Sequence, residues 1–148
     1  MGFEMTHGDP YLYELTRDER TGLKKQLAAH LAERREIIFA YVFGSFVDDA
    51  CFKDVDVAVY LDTVRVPAAR FEEYRDKCSE ELTEKLRLIF DVSVINNVPD
   101  PFKHSVFITG ELLFSHDEAL RTDMLEISSL AAMANEAASM QSFREMVI

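Results

Sequence analysis

Apolar residues recur along this chain in two rhythms. Between Arg17 and Arg35, Leu23, Leu27 and Leu31 return every four residues, which lays one apolar stripe along a helix. Thr16 and Glu19 form a capping box in front of it. Gly22 weakens the same helix by roughly 1 kcal/mol relative to Ala. "IIFAYVF", Ile37 to Phe43, is a continuous run rich in β-branched and aromatic side chains, and it predicts a buried strand that Gly44-Ser45 breaks. "VDVAVYL", Val55 to Leu61, is a second strand. Val66 to Leu88 predicts a helix that opens on Pro67 and turns Phe71, Tyr74, Cys78, Leu82 and Leu86 inward. "LIFDVSVI", Leu88 to Ile95, alternates as a third strand. After the turn "NNVPDP", Asp100 caps a short helix that runs from Pro101 to Gly110. "ELLFS" is a fourth strand, and from Asp117 the pattern is helical almost to the end.

Strands interspersed with helices in this order predict an α/β (α+β) architecture, a small mixed sheet of about four strands covered by helices. At 148 residues one domain spanning residues 1–148 is the expectation, with residues 1–15 a loose arm and residues 117–148 a C-terminal helical segment. The formal net charge of -11 opposes the coating of nucleic acid phosphates and suits divalent cations or basic partners. No apolar run approaches the roughly 18 to 20 residues that span a bilayer, and the first residues lack the basic start and apolar core of a signal peptide. A cytoplasmic protein without a membrane span is therefore expected. "MGFEMT" fits a loose myristoylation pattern, with bulky Phe3 and acidic Glu4 behind the glycine. Cys51 and Cys78 have neither metal-ligand nor CxxC spacing and read as free thiols of a reducing compartment.

The candidate chemistry lies on the second and third strands. Side chains two residues apart on a strand share a face, about 6.5 to 7 Å apart, so Asp54 and Asp56 project together while Val55, Val57 and Val59 point into the core. Asp91 and Ser93 repeat this on the third strand. If the two strands are neighbours, Asp91 meets Asp54 and Asp56. Three such carboxylates repel one another and raise each other's pKa unless a cation sits among them, and Mg²⁺ is the hard ion that accepts oxygen ligands and bridges carboxylates to phosphates. The Gly44-Ser45 turn exposes backbone N–H groups and a small hydroxyl, a cradle for phosphate oxygens.

"FGS", a short spacer, "DVDV" on a strand and one Asp on a later strand resemble the DNA polymerase β-type nucleotidyltransferase superfamily, and within it the minimal nucleotidyltransferase (MNT) group of antitoxin-like proteins. The stretch "IFDVSVINNVPDPFKHSVFITGELLF" is similar to that group in its order of Asp strand, proline turn, short helix, glycine and closing strand. The likeness spans residues 23–117. It implies the nucleotidyltransferase fold and transfer of AMP from ATP, with Mg²⁺, to a hydroxyl of a partner protein, here a toxin of the helical HEPN ribonuclease type. Carried over, Asp54, Asp56 and Asp91 are catalytic metal ligands, with Asp91 alternatively the base for the incoming hydroxyl. Gly44 and Ser45 hold the triphosphate, and Lys53 adds a positive charge beside it. The chain departs from the group's pattern in three places: the spacer 46–53 is short, Asp48-Asp49 stand where Arg-Gly is usual, and Lys53 stands where Ser is usual. These departures keep open the alternative of a degenerate module that neutralises its partner by contact; a further alternative is an adenylyltransferase acting on a small molecule, a kind of enzyme that usually carries an additional substrate domain. In the C-terminal helix, Leu120, Met124, Ile127, Ala131, Ala134 and Ala138 form one stripe, and Leu130, Met133, Ala137 and Met140 form a second. One stripe suffices for internal packing, so the second is expected to meet the toxin or a second copy of the chain.

Overall fold

The computed structural model describes residues 12–147, and the myristoylation pattern at Gly2 lies outside them. In chain order the elements are β1 (Tyr13–Glu14), α1 (Arg17–Ala32), β2 (Ile37–Phe43), α2 (Ser45–Asp48), β3 (Cys51–Phe52), β4 (Val55–Leu61), α3 (Phe71–Leu86), β5 (Phe90–Val94), α4 (Asp100–Thr109), β6 (Glu111–Ser115) and α5 (Glu118–Val147). β5, β4, β2 and β6 form one sheet in that order. The β4–β5 pair is parallel and the other pairs are antiparallel, which is the mixed four-stranded sheet the order of elements predicts. β1 and β3 make a separate two-stranded ribbon.

Each face of the sheet carries its own helix layer. On one side, Leu23, Leu27 and Leu31 of α1 and Cys78, Leu82 and Leu86 of α3 pack against Val55, Val57, Val59 and Leu61 of β4 and Val92 of β5. On the other side, Val106 and Phe107 of α4 and Met124 and Leu125 of α5 pack against Phe39, Tyr41 and Ala58. A bulge between Ile37 and Phe39 shifts the register of β2 against β4, so that Ile38 and Phe39 both join the second cluster while Ile37 stays in the first. Beyond the end of β5, the buried Asn96 amide prolongs the ladder. It accepts from Leu61 N at 2.9 Å and donates to Leu61 O at 2.8 Å, which pairs a backbone edge that burial has cut off from water.

Several local expectations change. Residues 12–15 are not a loose arm: Tyr13 and Glu14 pair with Phe52 and Cys51, and Tyr13 and Leu15 are buried in the first core. Residues 1–11 of that expected arm lie outside the described residues. Asp100 does not cap α4. It is the first helical residue, and Pro99 holds the cap position with no side-chain bond to the helix. The helix expected from Val66 begins at Phe71, behind a 3-10 turn at Ala68–Arg70. The capping box of α1 is present, with Thr16 N donating to Glu19 Oε1 and Glu19 N donating to Thr16 Oγ1.

α5 has 30 residues, about 45 Å at the helical rise. Among the described residues it is held in its first half, through Met124, Leu125 and the buried Ser128. Ile127, expected on the inward stripe, is 57% exposed. Met133, Ala134, Ala137, Ala138 and Met140 are all exposed as well. No helix among the described residues is long and apolar enough to cross a membrane.

Candidate active site

The strand period divides β4 between two tasks. Odd positions from Val55 fill the valine core. Asp54 and Asp56 therefore face the side of the sheet that carries α4 and α5. The parallel register sets Asp91 of β5 directly beside Asp56, and the antiparallel register sets Phe43 of β2 on its other side. Each of Asp54, Asp56 and Asp91 offers an oxygen, and those oxygens lie within 4.8 Å of one another. Asp54 and Asp56 are half-buried and Asp91 is exposed.

This convergence has an electrostatic cost. Burial, and then the neighbouring charge of Asp91, hold the Asp54 carboxyl above its ordinary range. Burial, Asp54 and Asp91 together push Asp56 up to about 6. Three mutually repelling carboxylates with only oxygen donors form the ligand set that a hard divalent cation relieves. The residues present fit Mg²⁺.

Gly44 is built into the same spot. Its φ is +77°, a left-handed conformation that side chains with a Cβ adopt at a cost. A Cβ there would collide with Asp56 Oδ2 and stand 3.2 Å from its Cγ. The turn thus presses its backbone onto a candidate metal ligand, which only glycine permits. Ser45 follows as the first residue of α2. Lys53 is exposed and makes no ion pair among the described residues. Asp48 and Asp49, on the same short segment, are exposed too. The structure therefore brings Asp54, Asp56, Asp91 and Gly44 into one cluster, with Ser45 adjoining it and Lys53 on the surface just before Asp54.

Arg20 at this end of the molecule escaped the sequence reading. It donates through Nη1 to Phe46 O, through Nη2 to Ala50 O at 2.6 Å, and through Nε to Leu15 O at 3.3 Å. Its position was the available signal. Arg20 stands three residues before Leu23 on the apolar stripe of α1, and a charge on a buried stripe has partners to find.

Residues 25–119 match the model of the polymerase beta nucleotidyltransferase family. The chain belongs to that family. The fold of this nucleotidyltransferase is shared with solved toxin–antitoxin complexes. One is a tri-AMPylated Shewanella oneidensis HEPN toxin with its MNT antitoxin, matched at 14% identity over 86% of this chain and 98% of that one, with a TM-score of 0.58. A MntA–HepT complex matches at 14% identity, 86% and 99% coverage and a TM-score of 0.58. A toxin–antitoxin structure with AMP-PNP matches at 12% identity, 90% and 100% coverage and a TM-score of 0.57. No curated protein sequence matches the chain significantly.

Proposed function

We propose that this nucleotidyltransferase moves AMP from ATP to a hydroxyl of a partner protein and serves as the antitoxin to a HEPN-type toxin in the cytoplasm. The observation that carries this reading is the meeting of Asp54, Asp56 and Asp91 within 4.8 Å, beside a Gly44 backbone pressed against Asp56. The AMPylated toxin and the AMP-PNP complex among the structural neighbours support the same chemistry here.

In this reading Asp54, Asp56 and Asp91 hold Mg²⁺, with Gly44, Ser45 and Lys53 on the triphosphate. Bound there, Mg²⁺ would supply charge neutralisation for the phosphate oxygens. The Gly44–Ser45 turn and the carboxylates orient the α-phosphorus toward the acceptor. The acceptor oxygen bonds to that phosphorus, the bond to the bridging β-phosphate oxygen breaks, and pyrophosphate leaves. Asp91, the most exposed of the three and hence the easiest for an acceptor to reach, takes the hydroxyl proton. The whole chain acts as a single domain, and the uncovered second half of α5, with Leu130, Met133 and Met140 exposed, receives the toxin or a second copy of the chain.

The test uses ATP labelled at the α-phosphate, Mg²⁺ and a HEPN-type toxin. Wild type labels the toxin, and Asp56→Ala lowers labelling by about a hundredfold or more. Equal label with both proteins would refute the transfer. A second reading, neutralisation by contact alone, is favoured by Asp48 and Asp49. Two exposed anions on the segment expected to hold a triphosphate repel it. An Asp56→Ala protein that still silences the toxin, with no label on it, would establish that reading instead.

A further inference from the structure

We propose that Arg20 is the positioning residue of the Gly44–Ser45 turn, a guanidinium on α1 that sets where the nucleotide's phosphates meet the carboxylates; the proposal rests on the nucleotide-binding reading above. All three guanidinium nitrogens are used. They bind carbonyls of three separate segments: Leu15 before α1, Phe46 inside α2, and Ala50 between α2 and β3. The same guanidinium lies 5.3 Å from the Phe46 ring centroid and 5.2 Å from that of Phe52. Those two rings meet edge to face at 5.0 Å, and Tyr13 stacks on Phe52 at 5.7 Å. One side chain thus ties the β1–β3 ribbon and α2 to the long helix behind the valine core.

The tie bears on the site because, apart from the packing of Phe46 and Val47 into the first core, α2 is fixed mainly by its own backbone bonds. It is a four-residue helix with no side-chain cap, and its internal bonds run only from Val47, Asp48 and Asp49 back to Gly44 and Ser45. Those bonds hold the turn together without saying where it lies. Gly44 leaves no slack against Asp56, since even an added methyl group would strike that carboxylate. A shift of α2 therefore moves the phosphate cradle, while Asp56 stays where the pairing of β4 with β2 and β5 holds it. Arg, and not Lys, suits the task. Its planar fork reaches three diverging acceptors and stacks on rings, whereas an ammonium is a point donor on a flexible stem.

Full-length Arg20→Lys and Arg20→Ala proteins test this with three readouts: calorimetry with Mg²⁺ and a non-hydrolysable ATP analogue, Mn²⁺ binding without nucleotide, and amide exchange over residues 44–50. The expected result is a loss of nucleotide affinity of about tenfold to a hundredfold in Arg20→Ala, a smaller loss in Arg20→Lys, faster exchange over 44–50, and Mn²⁺ affinity at the wild-type level. Nucleotide and Mn²⁺ affinities that fall in step would make Arg20 a general fold support and overturn the proposal. Undiminished nucleotide affinity in Arg20→Ala would overturn it too, leaving the transfer reading intact. A wild type that takes up Mn²⁺ but no nucleotide would overturn both. Should Arg20→Ala fail to fold, Arg20→Lys carries the same three readouts.

Discussion

The two faces of the β4–β5 pair are built from the same stretches of chain and have opposite properties. On one face, Val55, Val57, Val59 and Val92 are fully buried under α1 and α3. On the other, Asp54, Asp56 and Asp91 crowd together, and burial holds two of them above the ordinary carboxylate range. Each valine taken out of water contributes roughly 1.5 kcal/mol or more, whereas each carboxylate brought beside another opposes folding. The contrast teaches that a two-residue period lets a strand hold a strained polar cluster in place with the apolar side of its own backbone. Rigidity on one face is what makes repulsion on the other sustainable.

The largest expected effect comes from erasing the contrast. Val57→Asp places a charge in the sealed layer and destabilises the fold by more than about 4 kcal/mol, read as loss of a cooperative transition in thermal or urea unfolding. A well-folded Val57→Asp protein would mean that the valine face is not the anchor.

Gly44→Ala disturbs the acidic side through the backbone. Between the left-handed φ and the collision with Asp56, the cost is about 1 to 3 kcal/mol, measured by chemical denaturation without metal. An unchanged midpoint would refute the close approach.

Proton titration sharpens the comparison further. Asp56 holds its proton up to about 6 in the fold, against 3.8 ordinarily, so between those values the folded state binds more protons than the unfolded one. Stability from this group is fully present below the ordinary value and is lost as pH rises through about 6. The metal-free protein should therefore lose melting temperature on this account between about pH 4 and pH 6, and Asp56→Asn should flatten that slope. Mg²⁺ should restore more stability at the higher pH, where protons no longer compete for the carboxylate. An identical pH slope in Asp56→Asn would remove Asp56 from the account.

The smallest effect belongs to the helix that covers the valine side. An added Cβ at Gly22 meets nothing within 4 Å, so Gly22→Ala should stabilise the protein by about 0.5 to 1 kcal/mol and leave metal binding unchanged. A lowered melting temperature would show that the glycine has a packing role.

Local order was largely legible in the sequence. The strands Ile37–Phe43 and Val55–Leu61 and the capping box at Thr16 follow from periodicity and short-range chemistry, because burial on one face imposes a period and a helix start needs its amides satisfied. The shared face of Asp54 and Asp56 follows from the same alternation. Signals without a period were missed. Tyr13 and Leu15 are core residues on a segment too short to show a rhythm, and a two-residue strand such as β3 has no pattern to detect. Asp100 reads as a cap because Asp favours caps, yet Pro99 already supplies the extended conformation that precedes the first turn.

The sequence by itself determined the longer elements, most of their inward faces and the pairing of acid groups along a single strand, since each of these is settled within a few residues by side-chain period and backbone preference. Only the tertiary structure decided that β5 lies parallel beside β4, so that Asp91 completes the trio. It alone placed Gly44 against Asp56, joined Arg20 to three carbonyls and left half of α5 without a cover. Those relations depend on how the strands order themselves and how the layers stack, and they rest on many weak contacts between residues far apart in the chain.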